Sequence, residues 1–466
     1  MRQSASGESA KDTAARAAAV EILRRLRAHG HQGYLAGGCV RDLLLGREPL
    51  DYDVATDARP DEVMRIFPRT FAVGAQFGVV LVPVASVLAA GAEAAAGTVE
   101  VATFRSDGSY RDGRHPEQVT FSDSAEQDVQ RRDFTINGLV MDPLEGGRVL
   151  DFVGGRADLE AGIVRTIGDA RRRLREDKLR LLRAVRFAAR LGYTIASETM
   201  AAVRELAPEI KAVSRERVRD ELTKMLTEGR ARRAFELLDE SSLLREVLPE
   251  VERMKGVEQP PQFHPEGDVW VHTLMLLEAL PPGARRTLAW GALLHDVGKP
   301  ATFVVAPERI RFDGHVEVGA ALAREICGRL RMSSDETAQI VALVENHMRF
   351  ADAPRMRTAT LKRFLRLPDF AEHLELHRLD CAASHGDLGL YEFVRQRLAA
   401  MPAEEIRPRP LLTGRDLIAA GMKPGPEFRQ ILTAVEDAQL EGRVADKPQA
   451  LELVRQLRAG AAEPKN

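Results

Sequence analysis

The sequence predicts an α+β amino-terminal head, a small mixed sheet with helices, followed by an all-α remainder. From residue 31 to residue 150, strand-like segments such as 79–84 and 98–104 alternate with helix-like ones. Beyond residue 151 the apolar residues recur at helical spacing. At 466 residues the chain is also too long for one hydrophobic core, so several units are expected.

Composition points to a soluble cytoplasmic protein without a membrane segment. Hydrophobic residues make up 44% of the chain and charged residues 29%, and the net charge is only −2. A nucleic-acid partner would therefore have to be attracted by a local concentration of arginine. Cys39, Cys327 and Cys381 are isolated, which fits a reducing compartment and argues against disulfides. The amino terminus lacks a signal-like core, and the longest apolar run, 79–91, is too short to span a bilayer.

The head is expected to begin with three local elements. Residues 14–30 form an Ala-rich amphipathic helix that ends at Gly30, and its function is packing. A strand, a turn and a helix follow over residues 33–46, and residues 59–67 favour another helix. These elements flank the segment that carries the chemistry.

Two carboxylates, Asp51 and Asp53, stand one residue apart in the sequence DYD. If residues 50–55 form a strand, both side chains project from one face. Carboxylates this close repel each other unless a cation lies between them, and hard oxygen ligands suit Mg²⁺. By itself a D-x-D pattern is also compatible with a solvated loop or a helix cap.

A glycine pair, Gly37 and Gly38, precedes this acidic pair and is followed by Arg41. Glycine lets backbone N–H groups come close to a phosphate, and an arginine adds a charge-assisted contact. Alone, the pair is compatible with a simple turn. Combined with the two carboxylates, it predicts a metal-dependent nucleotidyl transfer site.

The whole string, GG-x-VRD-x-LLG followed by DYD, closely resembles the signature of the polymerase-β-like nucleotidyltransferases. It is most similar to the bacterial class II tRNA CCA-adding enzymes and their poly(A) polymerase relatives. The resemblance implies that Asp51 and Asp53 are catalytic and hold Mg²⁺, and that Gly38 and Arg41 bind the nucleotide.

A second motif, RRDFTINGLVMDP, covers residues 131–143. Two arginines, an acid and an amide can bind a triphosphate and a ribose hydroxyl, although Asp133 could instead cap a helix. The motif resembles the family's second block, which implies that Arg132 contacts phosphate and Asp133 lies near the ribose. Gly138 stands where the family usually has alanine.

Residues 177–191 are expected to form a helix with Asp177 and three arginines on one broad face. A solvated charged face would show the same pattern. The segment resembles the family's base-selecting helix, which implies that Asp177 and Arg180 pair with the base of CTP or ATP without a template. Arg183 and Arg186 would then steady the site or the triphosphate.

For three further features of the head and body, the sequence allows two interpretations each. Glu100, in the strand 98–104, is either an outward residue or the family's third carboxylate. The loop 105–120 is either an inert connector or the segment that in relatives assists the change from C to A addition. Basic residues over 197–255 either face solvent or, by resemblance, contact the tRNA acceptor arm.

Histidines concentrate between residues 264 and 385, where an adjacent pair, His295 and Asp296, lies in helical sequence. Such a pair among further His and Asp residues is a good divalent-metal pattern. It resembles the HD phosphohydrolase superfamily, which implies the ligands His272, His295, Asp296 and Asp380, with His315 and His347 completing a second position. The alternative is a helical RNA-binding scaffold without hydrolysis.

We interpret the chain as a nucleotidyltransferase that adds C and A from CTP and ATP to the 3′ end of tRNA. The alternatives are a poly(A) polymerase, an enzyme that adds only A or only CC, a principal HD phosphohydrolase, or a non-catalytic RNA-binding protein. The expected units are an amino-terminal helix (1–30), the nucleotidyltransferase head (31–150), a helical neck and body (151–262), an HD domain (263–400) and a helical tail (401–466).

Overall fold

The computed structural model describes residues 4–72, 77–88, 97–107, 119–261, 264–265, 267–307 and 309–462, with side chains from residue 14 to residue 459. It divides into two compact units, Met1–Pro249 and Glu250–Asn466. Within the described ranges, no helix combines the length and the apolar character that crossing a membrane requires.

The first unit contains a six-stranded mixed sheet in the order β3-β4-β2-β1-β7-β8. Only β2 and β4 pair in parallel in this sheet. Two small two-stranded sheets accompany it, β5 with β6 and β9 with β10. The strands are β1 Gly33–Ala36, β2 Asp53–Thr56, β3 Val79–Pro83, β4 Thr98–Thr103, β5 Arg105–Asp107, β6 Val119–Phe121, β7 Leu139–Asp142, β8 Arg148–Asp151, β9 Ile163–Val164 and β10 Thr194–Ile195.

Helices surround this sheet and continue the unit beyond it. They are α1 Ser4–Ala28, α2 Gly38–Leu44, α3 Pro60–Ile66, α4 Ala125–Gln130, α5 Gly155–Ala161, α6 Ala170–Glu176, α7 Arg180–Leu191, α8 Ser197–Leu206, α9 Arg215–Thr227, α10 Ala231–Glu240 and α11 Leu243–Val247. Short 3₁₀ helices cover Val84–Ser86, Thr135–Asn137 and Ala207–Ala212.

Hydrophobic periodicity explains how these elements pack. In β4, Val99 and Val101 are buried, while the intervening Glu100 lies on the opposite, more accessible face and is only partly desolvated, as a half-buried strand requires. In α1, Ile22 and Leu26 are fully buried at a spacing of four residues, which places one helix face on the head. The predicted α+β head is therefore confirmed.

Two predicted elements begin later than expected. The strand expected over 50–55 begins only at Asp53, because its neighbour β1 ends at Ala36 and the chain turns away at Gly37, whose φ is 77°. The helix expected from residue 177 begins at Arg180. The Asp177 carboxylate accepts a hydrogen bond from the Leu179 N–H at 3.0 Å, a local turn that precedes the helix.

The second unit is almost entirely helical, as the sequence predicts. Trp290, Phe350 and Phe364 are among its largest fully buried side chains. Its elements are α12 Pro249–Glu252, α13 Val269–Glu278, α14 Arg286–Leu294, α15 Lys299–Thr302, the hairpin β11 Val304–Val305 and β12 Ile310–Arg311, α16 His315–Arg329, α17 Ser334–Asn346, α18 Thr358–Leu365, α19 Phe370–Ala383, α20 Gly389–Ala400, α21 Ala403–Ile406, α22 Gly414–Ala419, α23 Glu427–Leu440 and α24 Lys447–Ala462, with a 3₁₀ helix over His347–Arg355.

Candidate functional site

A cavity of about 570 Å³ in the first unit gathers the nucleotide-site residues that the sequence predicts. They come from α2, from β2 and the segment before it, from the turn after α4, from the link between α6 and α7, and from α7. The predicted residues that line it are Gly38, Arg41, Asp51, Asp53, Arg132, Asp133, Asp177, Arg180, Arg183 and Arg186. The tertiary structure thus brings together residues that lie up to 148 positions apart, from 38 to 186.

A third carboxylate, Glu100, lies near the two that line this cavity, Asp51 and Asp53. Asp53 on β2 is paired with Glu100 on the parallel strand β4, and both line an adjoining space of about 200 Å³. Burial, then Glu100 and then Asp51 raise the pKa of Asp53 to about 7, against the opposing charge of Arg132. The pKa of Glu100 is also raised, by burial and by Asp51. This surplus of negative charge fits a divalent cation held by oxygen ligands.

Gly37 lets an arginine approach the backbone beside these carboxylates. Its φ of 77° is a left-handed value that favours glycine, and a Cβ built there would lie 3.0 Å from Nη1 of Arg132. Gly38 opens α2, so its N–H group belongs to the first turn, where backbone donors have no partner within the helix. The GG pair therefore lets the Arg132 and Arg41 guanidinium groups come close to the backbone at the start of α2.

A continuous set of hydrogen bonds links α2 to α7 through the RRDFTIN segment. Arg41 donates to Asp42 at 2.8 Å and to Oδ1 of Asn137 at 2.6 Å. Asn137 then donates to Asp133 at 3.1 Å, and Asp133 accepts two hydrogen bonds from Arg183 at 2.9 and 2.6 Å. Although burial opposes ionisation, the Arg183 and Arg180 guanidinium groups lower the pKa of Asp133 to about 2. Asp133 is thus an ionised anchor rather than a helix cap.

Asp128 is an anchor that the sequence interpretation missed. It is buried, and it accepts hydrogen bonds from Arg131 at 2.9 and 2.7 Å and from Arg132 at 3.3 and 3.0 Å. The two pairs are three and four residues apart, the spacing at which side chains meet on a helix. The pattern D-x-x-R-R could therefore have revealed it.

Asp177 and Arg180, which line the same cavity, are held by protein partners. Asp177 accepts hydrogen bonds from Arg217 on α9 at 3.2 and 2.9 Å. Arg180, which is 9% exposed, donates to the backbone carbonyls of Arg131 and Arg173 at 3.0 and 2.8 Å. Arg217 carried no local sequence signal, because it stands forty positions from Asp177.

Arg186 lines the same cavity and also joins two helices. It is 5% exposed and donates to Glu221 on α9 at 2.7 Å and to Glu228 at 3.3 Å. This buried pair joins α7 to α9, so it also sets where Arg217 meets Asp177. The predicted loop 105–120 lies mostly outside the described residues, which here comprise 105–107 and 119–120.

The second unit contains two groups of side chains with the composition of metal sites. One group is His272, His295 and Asp380, and the other is Asp296, His315 and His347. Within each group the ligand atoms lie within 4.8 Å of one another. The six members are the four predicted ligands and the two residues predicted for a second metal position.

Backbone hydrogen bonds orient several of these imidazoles. His295, His315 and His347 each direct Nδ1 to a backbone carbonyl oxygen, at 2.9, 2.9 and 2.7 Å. A carbonyl can only accept, so Nδ1 carries the proton and Nε2 presents its lone pair as an acceptor. Nε2 of His295 lies 3.3 Å from Nε2 of His272. Nε2 of His315 is buried and has no hydrogen-bond partner among the described residues. This donor set fits an N/O-ligated divalent metal.

The carboxylates of this second site are ionised. Burial opposes the ionisation of Asp296, but Lys299 and His295 hold its pKa well below the usual range. Lys299 donates to Gln259 at 2.6 Å and lies 2.7 Å from Asp296. Burial also lowers the pKa of His347 to about 4, which keeps it neutral. Neutral imidazoles and charged carboxylates are the protonation states that bind metal.

Three family models match successive parts of the chain. The poly A polymerase head domain matches residues 33–165, a probable RNA and SrmB-binding site of polymerase A matches 192–255, and the HD domain matches 268–380.

Two curated relatives differ in how much of the chain they cover. A CCA-adding enzyme of Geobacillus thermodenitrificans is 46% identical over 48% of this chain and 53% of its own length, so the match spans about half of that relative. An A-adding tRNA nucleotidyltransferase of Deinococcus radiodurans is 34% identical over 90% of this chain and 94% of its own length.

A solved structure supports the same relationship along the whole chain. The Bacillus stearothermophilus CCA-adding enzyme in complex with CTP superimposes with a TM-score of 0.68 and 30% identity, over 96% of this chain and 98% of the other. Head, RNA-binding and HD segments occur in one order in the chain, and a relative matches it nearly end to end. The chain therefore belongs to the class II CCA-adding enzyme and poly(A) polymerase family of nucleotidyltransferases.

Proposed function

We propose that this chain adds C and A, from CTP and ATP, to the 3′ end of tRNA without a template, in the cytoplasm. The observation that carries the proposal is the single cavity of about 570 Å³ that Asp51 and Asp53 line together with Asp177 and Arg180. One nucleoside triphosphate can therefore meet the metal-binding carboxylates with its phosphates and the base-reading pair with its base. The names of the relatives support the substrate class.

Asp51 and Asp53 would hold Mg²⁺, with Glu100 as a further oxygen ligand. The raised pKa of Asp53 supports this role, because a carboxylate crowded by two others gains most from a bound cation. When bound, the metal neutralises charge at the α-phosphate and activates the attacking 3′-hydroxyl as pyrophosphate leaves. The carboxylates orient that exchange by fixing where the cation can lie.

Arginines of α2, the RRD segment and α7 would bind the triphosphate. Arg132 lies at the glycine turn next to the carboxylates, and Asp128 restrains it. Arg183 donates to Asp133 and keeps further N–H groups, since a guanidinium has five. Asp133, ionised and buried, would accept a hydrogen bond from a ribose hydroxyl at the centre of the cavity.

Asp177 and Arg180 would select the base. Cytosine and adenine both present an amino donor, which a carboxylate can accept, beside a ring acceptor for a guanidinium. Uracil and guanine present a carbonyl at the amino position, so they leave the carboxylate without a donor. One protein pair can therefore admit C and A and reject U and G.

The test is incorporation of labelled CTP and ATP, singly and together, into tRNA lacking A, CA or CCA. We expect addition that stops at a complete CCA end and that Asp51→Ala and Asp53→Ala abolish. His295→Ala in the other unit is the matched control and should leave incorporation intact. Incorporation of ATP only, and only after CC, would overturn CCA addition in favour of the A-adding activity named for the Deinococcus relative. An extended A tail would indicate a poly(A) polymerase.

A second activity, metal-dependent phosphate ester hydrolysis, is supported by the two three-residue metal groups of the second unit. His272, His295 and Asp380 form one position, and Asp296 lies between it and the other histidines, with Nε2 of His295 at 3.2 Å from its carboxylate. Two adjacent cations could hold both oxygens of a phosphomonoester or a cyclic phosphate.

Metal analysis and a phosphatase assay test this second activity together. His295→Ala should lower the bound metal and abolish hydrolysis of phosphomonoesters and cyclic nucleotides, while nucleotide incorporation continues. Asp53→Ala should abolish nucleotide incorporation and leave hydrolysis and the metal of the second unit unchanged. Full metal occupancy without hydrolysis would instead assign the second unit a scaffold role.

A further inference from the structure

One aromatic ring in the nucleotide cavity is contacted by three guanidinium groups. Phe187 on α7 lies 4.4 Å from Cζ of Arg186, 5.1 Å from that of Arg183 and 5.3 Å from that of Arg41, measured to the ring centroid. The ring is 5% exposed and lines the cavity. Each distance is within the range of a cation–π contact.

These three arginines come from different parts of the first unit and would repel one another without compensation. Each has an acidic partner on its own side of the cluster: Asp42 for Arg41, Asp133 for Arg183 and Glu221 for Arg186. Phe187 is the neighbour that all three share. A ring face attracts a cation without using its N–H groups, so those groups stay available for a phosphate.

We propose that Phe187 is a positioning residue that holds Arg41, Arg183 and Arg186 in place for the triphosphate of the incoming nucleotide. The inference rests on the proposed nucleotidyl transfer and deepens it. Because CTP and ATP share the triphosphate, the contribution of Phe187 is the same for both nucleotides. Base selection, which depends on Asp177 and Arg180, is independent of it.

The ordinary role of such a buried ring is packing, and a packing role predicts a different outcome for nucleotide affinity. Phe187 also meets Phe134 edge to face, with the centroids 5.9 Å apart and the planes at 80°. If shape alone mattered, an isosteric ring with altered electrons would leave nucleotide affinity unchanged. The charge distribution of the ring, rather than its volume, is therefore the quantity to vary.

The experiment replaces Phe187 in the full chain by mono-, tri- and pentafluorinated phenylalanine through stop-codon incorporation. Fluorine withdraws electrons from the ring face and changes its size little. We expect the affinities for CTP, ATP and inorganic tripolyphosphate, measured by calorimetry, to fall together as fluorines are added, by about tenfold at five fluorines. The ratio of CTP to ATP affinity and the melting temperature should stay constant. Phe187→Tyr should retain affinity and Phe187→Leu should lose it.

Unchanged affinity at five fluorines would overturn the proposal, and so would a loss confined to one nucleotide or a loss that tracks the melting temperature. The same fluorinated residues at Phe67, which is 2% exposed in the head, control for substitution in a buried site. Tripolyphosphate binding needs no tRNA. If the chain failed to add C or A, the Phe187 series would still show whether the ring supports triphosphate binding.

Discussion

Asp53 on β2 lies opposite Glu100 on β4, in the parallel pair of the head sheet. Residues opposite each other in neighbouring strands project from the same face, so the two carboxylates share the space of about 200 Å³ that adjoins the nucleotide cavity. The sequence left Glu100 either outward or catalytic. Its register beside Asp53, and the rise in the pKa of Asp53 to which Glu100 contributes after burial, favour the third carboxylate.

Neutralising Glu100 should impair nucleotide addition without abolishing it. We expect Glu100→Gln to lower incorporation by about 10- to 100-fold, the usual cost of losing a supporting group around a metal. Asp53→Asn should leave no measurable incorporation. Glu126→Gln, an exposed carboxylate on α4, is the control. If Glu100→Gln adds nucleotides at the wild-type rate at limiting Mg²⁺, Glu100 is an outward residue and not a metal ligand.

Metal affinity at the head should depend on pH through Asp53. Its pKa is raised to about 7, by burial first and then by Glu100 and Asp51, and only the ionised form binds a cation. Affinity should therefore rise with pH, by about tenfold between pH 6 and pH 8. Mn²⁺ titration followed by paramagnetic relaxation measures it. Asp53→Asn should bind weakly at both values, and a flat profile in the wild type would contradict the assignment.

Breaking the contact between Arg217 and Asp177 should relax base selection. Arg217 donates to both carboxylate oxygens of Asp177, which fixes the plane that would face the base. We expect Arg217→Leu to raise misincorporation of UTP relative to CTP by about tenfold, because a mobile carboxylate discriminates less. The readout is the ratio of kcat/KM values. Arg215→Leu, two residues earlier on α9, is the control. An unchanged ratio would show that Arg217 only packs.

The second unit should lose stability as the pH falls, partly through His373. Burial, followed by Arg349, lowers its pKa to about 4, and neither ring nitrogen has a hydrogen-bond partner among the described residues. The unfolded chain binds this proton near pH 6.5, so stability is complete above that value and declines towards pH 4. The expected decline is about 2 kcal/mol between pH 7 and pH 5.

Denaturant unfolding at both pH values measures this loss. His373→Leu should remove the part of the loss that is due to His373, because leucine cannot take up the proton. His347 and His377, whose pKa values burial also lowers to about 4, should keep their parts. His385 is exposed, so His385→Leu should retain the full loss of stability. Equal pH dependence in all three proteins would assign the loss to other groups.

The sequence by itself determined most of the local structure and predicted the residues of both candidate sites. The glycine pair, Asp51 with Asp53, and the RRDFTING block predicted a nucleotide site, and adjacent His295 and Asp296 predicted the metal centre. Spacing within a helix or a turn could carry this information, since neighbours in sequence are neighbours in space there. Two predicted boundaries were wrong. The strand expected from residue 50 begins at Asp53, because the adjacent strand β1 ends before the turn at Gly37. The helix expected from residue 177 begins at Arg180, because the Asp177 side chain forms a local turn.

Only the tertiary structure decided which distant residues complete the sites. Glu100 acquires its position from strand register, Arg217 meets Asp177 from a different helix, and Phe187 gathers arginines from two segments of the head and neck. The physical reason is that a residue pattern encodes which face a side chain takes. Which distant residue contacts that face depends on how whole helices and strands pack their apolar sides together.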